Sequence, residues 1–377
     1  MRVGSIGYAT CQGLGVLLRS FYDHGIVTDV FILEHSRHPT QWEWYPETTP
    51  RCSTRQMDGR AMRKFCSEMD VMLFFETPFD WSLVEYCRQR GVKTVLVPMY
   101  ECSLQRPPAQ FDEYWCPSLL DLRYFCNSPE RVTDTSSVEP FSTCFRHDGG
   151  GLSWFTTVPV EVEWKQRHTA KVFVHNSGHG GLKGRNGTRE LVEGLRHVKT
   201  SPTVIIRSQS PIDETILGEV GLARDLSAER DTEGRRKYEF KVNNVSVLLQ
   251  IGTWSQKELY SDGDVFIFPE KFNGLSLPLQ EARAAGMLVI CGDRFPMNQW
   301  LPTEPLIPVE RTVKNRIGPP YMEFDEAVID PRVIAEKIDE FYGQDIHEYS
   351  QDGLAWAKRM SWDVLGPKYK ALLEELK

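Results

Sequence analysis

The chain has 377 residues, of which 41% are hydrophobic and 25% charged, a composition typical of a globular protein of about two domains. Its longest apolar runs, at 71–75 and 265–268, are far shorter than the roughly 20 residues that cross a bilayer. The formal net charge of −8 gives the whole chain no attraction for nucleic acid or for an anionic membrane, although it allows a local basic surface. We therefore expect a cytoplasmic protein without a membrane span or a signal peptide.

Nine cysteines occur without close C-x-x-C pairs. An odd number at such spacings indicates neither a disulfide framework nor a zinc ribbon. We expect reduced thiols that pack as small apolar residues.

Short apolar runs alternate with helical patterns along most of the chain, which is typical of strands buried on both faces of a parallel sheet. In the first half, the predicted strands are residues 2–8, 28–33, 71–75, 94–98 and 113–116, and the predicted helices are 15–22, 60–66 and 81–90. In the second half, the predicted strands are residues 171–175, 203–207, 245–251, 264–268 and 288–291. The pattern predicts an α/β protein with two similar sheets.

A stretch rich in Ser, Pro, Thr and Gly at 127–151 separates the two halves, and an extended connector follows at 158–163. We place the domain boundary near residue 160. An amphipathic helix is predicted over 349–376, with no strand after it. The predicted divisions are 1–160, 161–345 and 346–377.

In open parallel sheets a ligand binds at the carboxyl ends of the strands, so the loops after strands are the candidate sites. The loop after the first strand carries Gly13, and its backbone allows a phosphate or a sugar to approach closely. Its spacing does not match G-x-G-x-x-G. It is either a ligand-facing turn or a plain strand-to-helix turn.

The loop at 176–188 contains five glycines with Lys183 and Arg185, and it leads into a predicted helix. Free N–H groups, a helix dipole and two cations would favour a phosphate here, although no Walker motif is present. The alternative is a solvated loop. Arg207 ends the next strand and is either a further cation for the same ligand or an ordinary surface residue.

The most specific stretch runs from 264 to 293. It contains a buried strand, a turn with Asn273-Gly274, a helix with Pro278 in its first turn, and then another strand. Glu281, just inside that helix, is placed to accept hydrogen bonds from a ribose diol.

This stretch resembles the signature of the retaining, nucleotide-sugar-dependent glycosyltransferases of the GT-B fold, particularly family four. The usual form is Pro-Ser, a variable turn, and then Glu-Gly-Phe-Gly-Leu-Pro-x-x-Glu-Ala, to which residues 273–282 align without gaps. The segment 252–264 and Trp362 resemble other parts of the family. The resemblance implies a GT-B fold, with two Rossmann-like domains facing across a cleft and a C-terminal helix returning to the N-terminal domain.

By this resemblance, Glu281 holds the ribose of the donor nucleotide, and backbone groups of Gly274 and Leu275 contact its diphosphate and sugar. Asn273 stands where the family has its first glutamate. An amide bonds a sugar hydroxyl but carries no charge, so Glu270 is the candidate to substitute for that glutamate.

The phosphate-binding lysine of the family aligns with Asn186, so Arg185 or Lys183 would neutralise the leaving diphosphate. The base would pack against the loop at 251–254. Trp254 in that loop is either a base contact or simple packing.

In the N-terminal half, carboxylates follow two adjacent strands: Glu76 and Asp80 after one, and Glu101 after the next. Burying carboxylates costs several kcal/mol unless they are paired. They are candidates to contact the transferred sugar or to accept the proton of the acceptor. The alternative is that they cap helices or pair with arginines.

These features predict transfer of a sugar from a nucleotide diphosphate sugar, most simply a UDP-sugar, to an acceptor hydroxyl with retention. No cofactor other than this co-substrate and no metal is expected, because Asp262-Gly263-Asp264 precedes a strand and is interpreted as a turn. The departures at Asn273 and Asn186 leave open a degenerate sugar-nucleotide sensor that does not catalyse transfer.

The acceptor is suggested by aromatic and basic stretches at 35–45 and 51–64. The overall pattern is similar to phage glycosyltransferases, some of which modify hydroxymethylated bases in DNA, and such an enzyme would act in the host cytoplasm. The alternative acceptor is a glycan or a lipid-linked sugar, since aromatic side chains also stack on sugar rings.

Overall fold

A computed structural model describes residues 1–11, 13–36, 38–126, 138–146, 151–178, 184–209 and 229–376. The chain divides into two compact units. The first unit contains Met1–Pro159, Arg316–Met322 and Met360–Lys377, and the second contains Val160–Asn315 and Glu323–Arg359.

The strands in chain order are β1 (Val3–Tyr8), β2 (Asp29–Glu34), β3 (Arg51–Ser53), β4 (Val71–Glu76), β5 (Lys93–Pro98), β6 (Glu113–Cys116), β7 (Cys144–Arg146), β8 (Leu152–Phe155), β9 (Val172–Gly178), β10 (Thr203–Ser208), β11 (Glu229–Arg230), β12 (Arg236–Val242), β13 (Val245–Ile251), β14 (Val265–Phe268), β15 (Leu288–Cys291), β16 (Arg311–Asn315) and β17 (Phe324–Val328). The helices are α1 (Gly13–Asp23), α2 (Gly59–Ser67), α3 (Ser82–Gln89), α4 (Leu119–Phe125), α5 (Thr188–Gly194), α6 (Gln256–Leu259), α7 (Leu277–Ala284), α8 (Pro331–Phe341), α9 (His347–Arg359) and α10 (Trp362–Glu375). Among the described residues, 3-10 helices cover Trp42–Trp44, Tyr100–Cys102, Leu195–His197 and Met297–Trp300.

The first unit is built on an eight-stranded sheet of order β3-β2-β1-β4-β5-β6-β8-β7. All neighbouring strands in it are parallel except β7 and β8. The central strand β4, with the sequence VMLFFE, is buried at every position before its last residue. Such a run has no polar face because helices cover both sides of a parallel sheet.

The second unit has a seven-stranded sheet of order β11-β12-β13-β10-β9-β14-β15, and β16 and β17 form a separate hairpin. The five strands from β13 to β15 in this order are parallel, whereas β11 and β12 add to one edge in antiparallel fashion. Its core combines apolar residues of the parallel strands with the buried faces of α5 and α8. The prediction of an α/β protein with two largely parallel sheets is confirmed.

The prediction of one helix over 349–376 is wrong, because the structure has α9 and α10 there. Ser361 has extended backbone angles, φ −74° and ψ 157°, and interrupts the helical path. In α10, the Trp362 indole donates to Ser20 Oγ at 2.7 Å and the Tyr369 hydroxyl donates to the Thr157 carbonyl at 2.7 Å. These bonds hold α10 against the first unit.

Within the described part of the chain, no helix has the length and hydropathy needed to cross a membrane. All nine cysteines are free thiols.

Candidate functional site

The candidate site lies in the second unit, where the loops after the parallel strands β9 and β14 meet. Gly187, the residue before α5, has a left-handed φ of +73°, and a Cβ on it would lie 2.0 Å from the Pro269 carbonyl oxygen. The Lys271 amide donates to the Arg185 carbonyl at 2.7 Å. The two loops therefore touch through their backbones, and only glycine fits at the point of contact.

We predict that Gly187→Ala lowers the free energy of unfolding by about 3 kcal/mol or more, because a left-handed non-glycine residue and a backbone overlap each cost 1–3 kcal/mol. Gly343→Ala is a matched control in the same unit, since Gly343 has φ +82° and no atom near its Cβ position. The control should cost only about 1 kcal/mol. Urea unfolding of both variants measures the difference, and equal losses would contradict the close contact.

A buried turn follows β14 and is organised around one carboxylate. Glu270 is only 1% exposed, and its two oxygens accept from Asn273 Nδ2 and from Ser276 Oγ, each at 2.6 Å. Asn273 Oδ1 in turn accepts from the amides of Leu275, at 3.1 Å, and Ser276, at 3.0 Å. We call residues 270–276 the Glu270 turn. Its hydrogen bonds fix the point at which α7 begins.

Three polar residues of this turn stand at positions where the chain departs from the glycosyltransferase signature. Where the usual form has Ser, Glu and Gly, the chain has Glu270, Asn273 and Ser276. Ser276 adopts φ +48°, a left-handed conformation that explains the glycine of the signature. The three replacements contact one another. The turn keeps one carboxylate, which stands at position 270 instead of 273, three residues closer to β14. Sequence reasoning missed Ser276, although the lost signature glycine was the available signal.

Cations lie close to the Glu270 turn. Burial raises the pKa of Glu270 to about 6, while the positive charges of Arg185 and Arg294 oppose that rise. Arg185 is half-buried, with its guanidinium 5.8 Å from the centre of the Phe272 ring. Arg294 donates through Nε, at 2.9 Å, and Nη2, at 2.5 Å, to the Asp325 carbonyl oxygen. The site thus combines a helix N-terminus with positive charge, a combination that favours an anion.

Glu281 lies on the first turns of α7 and is half-buried. Its carboxylate accepts from Gln256 Nε2 at 2.6 Å and from the Tyr260 hydroxyl at 2.7 Å. Burial raises its pKa, and these two hydrogen bonds oppose the rise. Gln256 and Tyr260 therefore fix the direction of the carboxylate, which keeps lone pairs for a further donor.

Asn186 takes the place of the lysine in the family and has a structural role. Its Nδ2 donates to the carbonyl oxygens of Asn176, at 2.9 Å, and Ser177, at 3.1 Å, and so closes the loop after β9. An amide carries no charge, so Arg185 is the described cation that this loop presents to the Glu270 turn. Lys183 lies outside the described residues.

His175 ties β9, β14 and α5 together under the site. It is fully buried, with Nδ1 2.9 Å from the Ile267 carbonyl oxygen and Nε2 2.8 Å from Thr188 Oγ1. Because a carbonyl only accepts, Nδ1 carries the hydrogen and Nε2 accepts from the threonine hydroxyl. Burial lowers the pKa of His175 to about 4 from its ordinary 6.5, so the ring is neutral at physiological pH.

We predict that His175 makes the second unit sensitive to acid. As the pH falls below 6.5, the His175 ring of the unfolded chain becomes protonated. The ring of the folded chain stays neutral until the pH approaches its lowered pKa of about 4. The free energy of unfolding should therefore drop by about 2 kcal/mol between about pH 7 and about pH 5 through this group alone. His175→Asn, which keeps a donor for Ile267, should lose less over that interval in urea titrations. An equal loss in both proteins would contradict the assignment.

Arg207 is 3% exposed and is not brought to the Glu270 turn. It pairs with Asp262 at 2.6 Å and donates to Gln250 Oε1 at 3.0 Å and to the Leu259 carbonyl oxygen at 2.6 Å. Asp264 accepts from the backbone amides at the start of β9. The Asp-Gly-Asp segment is thus a turn before β14, and the described residues contain no group of three or more potential metal ligands.

The side chain of Arg235, which sequence reasoning missed, covers the loop at 252–254. Trp254 is buried, and the guanidinium of Arg235, from the β11–β12 hairpin, lies 5.5 Å from the centre of a Trp254 ring. A Cβ on Gly252 would lie 2.4 Å from the Arg235 side chain. Arg235 is held by three carboxylates, those of Asp231, Glu233 and Glu258.

In the first unit, the three candidate carboxylates have different environments. Glu76 ends β4 with a left-handed φ of +60° and is half-buried. Asp80 Oδ1 accepts from the amide of Ser82, the first residue of α3, at 2.9 Å. Glu101 is 2% exposed. Burial raises the pKa of the nearby Asp121, and the negative charge of Glu101 adds to that rise. Of the three, Glu76 has the strained backbone that is frequent at functional sites.

A small, partly open recess adjoins Glu76. Its aromatic lining residues are Trp81, Phe111, Tyr114 and Phe125.

Gly13 is the exposed first residue of α1. The close approach in that loop belongs instead to Gly15, whose Cβ would lie 2.2 Å from the Thr10 carbonyl oxygen.

No protein-family model matches the chain, and no curated protein matches it in sequence. Among solved structures, Anabaena HepE in complex with UDP-glucose is similar over 100% of both chains, with a TM-score of 0.57 and 10% identity. Sucrose-phosphate synthase from Thermosynechococcus elongatus is similar over 100% of this chain and 99% of its own, with a TM-score of 0.57 and 12% identity. At such identities the likeness shows the fold alone. The chain therefore has the architecture of two Rossmann-like α/β units that characterises GT-B proteins.

Proposed function

We propose that the protein is a glycosyltransferase that takes a sugar from a UDP-sugar and transfers it to an acceptor hydroxyl with retention. The interlocked Glu270 turn carries this proposal. Glu270, Asn273 and Ser276 all differ from the signature, yet they form one hydrogen-bonded network. Independent loss of an unused site would not produce replacements that bind one another. The similarity in fold to HepE, whose structure contains UDP-glucose, supports the donor class.

In this proposal the nucleotide lies along the carboxyl edge of the second sheet. Glu281 accepts from the ribose hydroxyls, and the base packs beside the loop of Trp254. The diphosphate lies at the amino end of α7, where Leu277 provides a backbone amide. The Leu275 amide already donates to Asn273 Oδ1, so it orders the turn instead of binding phosphate.

The charge of the leaving diphosphate is the largest electrostatic demand of such a reaction. Arg185, with Lys183, supplies the cations in our proposal, and the positive end of α7 adds to them. We propose that the reaction needs no metal, because both aspartates of the Asp262-Gly263-Asp264 segment make structural contacts. Asp262 pairs with Arg207, and Asp264 accepts from backbone amides. Arg207 is then a positioning residue beneath the site.

The acceptor is proposed to bind at the carboxyl edge of the first sheet. Tyr8 ends β1 there, and its ring packs edge-on at 4.8 Å against both His35 and Phe79. Glu76 is the candidate to orient the acceptor hydroxyl, since Asp80 accepts from the first amide of α3 and Glu101 is buried. The acceptor classes are a hydroxylated base in DNA and a glycan or a lipid-linked sugar, since aromatic side chains stack on bases and on sugar rings alike.

Incubation with UDP-glucose and other UDP-sugars, with a hydroxymethylated oligonucleotide or a glycan as acceptor, tests the proposal. The expected result is release of UDP that depends on the acceptor, with a product whose anomeric configuration in NMR matches the donor. Binding of UDP without any release would identify a sensor instead. Absence of UDP binding would contradict the donor site itself.

A further inference from the structure

The first unit has an exposed basic surface that includes residues 51–64. Residues 51–64 contain four arginines and one lysine against a single aspartate, in a chain whose net charge is −8. Five large hydrophobic side chains are exposed among the described residues, and two of them, Trp42 (45%) and Met57 (46%), belong to this region. Cations and an exposed indole together are a combination that binds single-stranded nucleic acid.

The part of this surface nearest the carboxyl edge of the sheet has cations that form no ion pair. Arg51, Arg55 and Arg60 are exposed, and none of them pairs with a carboxylate of the described residues. Further along α2, away from that edge, Arg63 donates to Ser82 Oγ at 3.5 Å and Lys64 pairs with Glu68 at 4.0 Å. The one carboxylate within 51–64 is Asp58, which accepts from two amides as the cap of α2. Cations therefore outnumber carboxylates by four within residues 51–64, and Arg51, Arg55 and Arg60 form no ion pair among the described residues.

Local hydrogen bonds show that this surface adjoins the loops proposed for the acceptor. The Gln41 amide donates to the Ala9 carbonyl oxygen at 2.7 Å, which places Trp42 beside the loop after β1. Thr54 bonds through its amide and its hydroxyl to the Glu34 carbonyl oxygen, so Arg55 follows the carboxyl end of β3 next to that of β2. Trp42 is supported on one face by the Arg51 guanidinium, 4.6 Å from the ring centre. We call Trp42, Arg51, Arg55 and Arg60 the basic edge.

We propose that the basic edge binds single-stranded DNA, with Arg51, Arg55 and Arg60 contacting phosphates and Trp42 stacking on an unpaired base. This inference deepens the proposed function, because it names the acceptor class. Phosphate contacts hold the strand in register. Stacking of one base on Trp42 separates it from its neighbours, and an enzyme that modifies a base needs that base outside the helical stack.

Fluorescence anisotropy with a labelled oligonucleotide tests the inference on the full-length protein. We expect binding whose log K falls with log salt at a slope of about −2, because three neutralised phosphates on a single strand contribute about −0.7 each. Arg55→Glu/Arg60→Glu should weaken binding at least about tenfold and flatten that slope. Trp42→Ala should weaken binding roughly 5- to 100-fold and leave the slope unchanged.

Arg90→Glu is the matched control. Arg90 is an exposed arginine of the same unit, and its guanidinium lies over an aromatic ring, 5.4 Å from the centre of Tyr86. The Arg51 guanidinium likewise lies over Trp42, at 4.6 Å. It follows α3 at the opposite, amino edge of the sheet, so its reversal should leave DNA binding unchanged. Thermal melting of every variant establishes that each is folded.

Three results would overturn the inference: no DNA binding at about 50 mM salt, equal weakening by Arg90→Glu, or equally tight binding of heparin that is insensitive to Trp42→Ala. UDP titrations on the same samples separate this inference from the proposed function. If UDP binds and DNA does not, the inference about the acceptor fails alone. If DNA binds as predicted and UDP does not, the donor site fails while the basic edge stands.

Discussion

Glu281→Gln should weaken UDP binding by about ten- to hundredfold in calorimetric titrations. Hydrogen bonds to a charged group contribute about 1.5–3 kcal/mol, and the ribose diol would lose a charged acceptor. The variant keeps the size of the side chain. However, its amide has one accepting oxygen for the two donors, Gln256 and Tyr260, that now flank the carboxylate.

The control for this prediction is Glu336→Gln, an exposed carboxylate on α8 of the same unit. It should bind UDP as the wild type does. Melting temperatures separate loss of affinity from loss of fold, since Glu281→Gln leaves one buried donor unpaired at a cost of about 1–3 kcal/mol. Unchanged UDP affinity in folded Glu281→Gln would reject the ribose role.

Removing the carboxylate of the Glu270 turn should have the largest effect on stability in the second unit. Glu270→Ala leaves Asn273 Nδ2 and Ser276 Oγ without their acceptor and removes the negative charge that attracts Arg185. Breaking such a buried arrangement costs about 3–5 kcal/mol. We expect this loss in urea unfolding, together with loss of UDP binding, because the turn sets the start of α7.

The isosteric variant Glu270→Gln gives this prediction a pH dependence. The folded pKa of about 6 lies above the ordinary 4.5, so the folded state holds a proton that the unfolded chain releases. The contribution of Glu270 is fully present below pH 4.5 and is lost as the pH rises through 6. Relative to Glu270→Gln, the wild type should therefore lose about 2 kcal/mol of unfolding free energy between about pH 4.5 and about pH 7.5. A constant difference between the two proteins would contradict a buried carboxylate.

A second set of variants tests whether the three residues act as a unit. Asn273→Glu alone places a second carboxylate beside buried Glu270 and should be strongly destabilising, because like charges at close range cannot both ionise there. The triple change Glu270→Ser/Asn273→Glu/Ser276→Gly restores the usual signature and should recover most of the stability. Additive losses in the triple variant would mean that the three positions are independent.

The parts of the fold that the sequence predicts well are those with both faces buried. β4 and β14 read as unbroken apolar runs because helices cover both faces of a parallel sheet. β12 was missed because its sequence, RKYEFKV, belongs to an antiparallel edge with one exposed face. β3 was missed because three residues are too few for a periodicity.

The candidate site was predictable where backbone geometry follows from position in the chain. Loops after β9 and β14 meet because neighbouring parallel strands end at the same edge, and this brings Arg185 to the Glu270 turn. The partners of long side chains were not predictable. Arg207 is the second-last residue of β10, yet its guanidinium contacts Asp262 in the turn before β14. Nothing in the local sequence at Gly252 indicates that Arg235 covers that loop.

A structure determined with UDP bound is the most direct test of the central claim. We expect the ribose hydroxyls to donate to the Glu281 carboxylate, and the diphosphate to lie at the amino end of α7 beside Arg185. UDP bound away from the carboxyl edge of the second sheet, with both residues unchanged in their contacts, would contradict it.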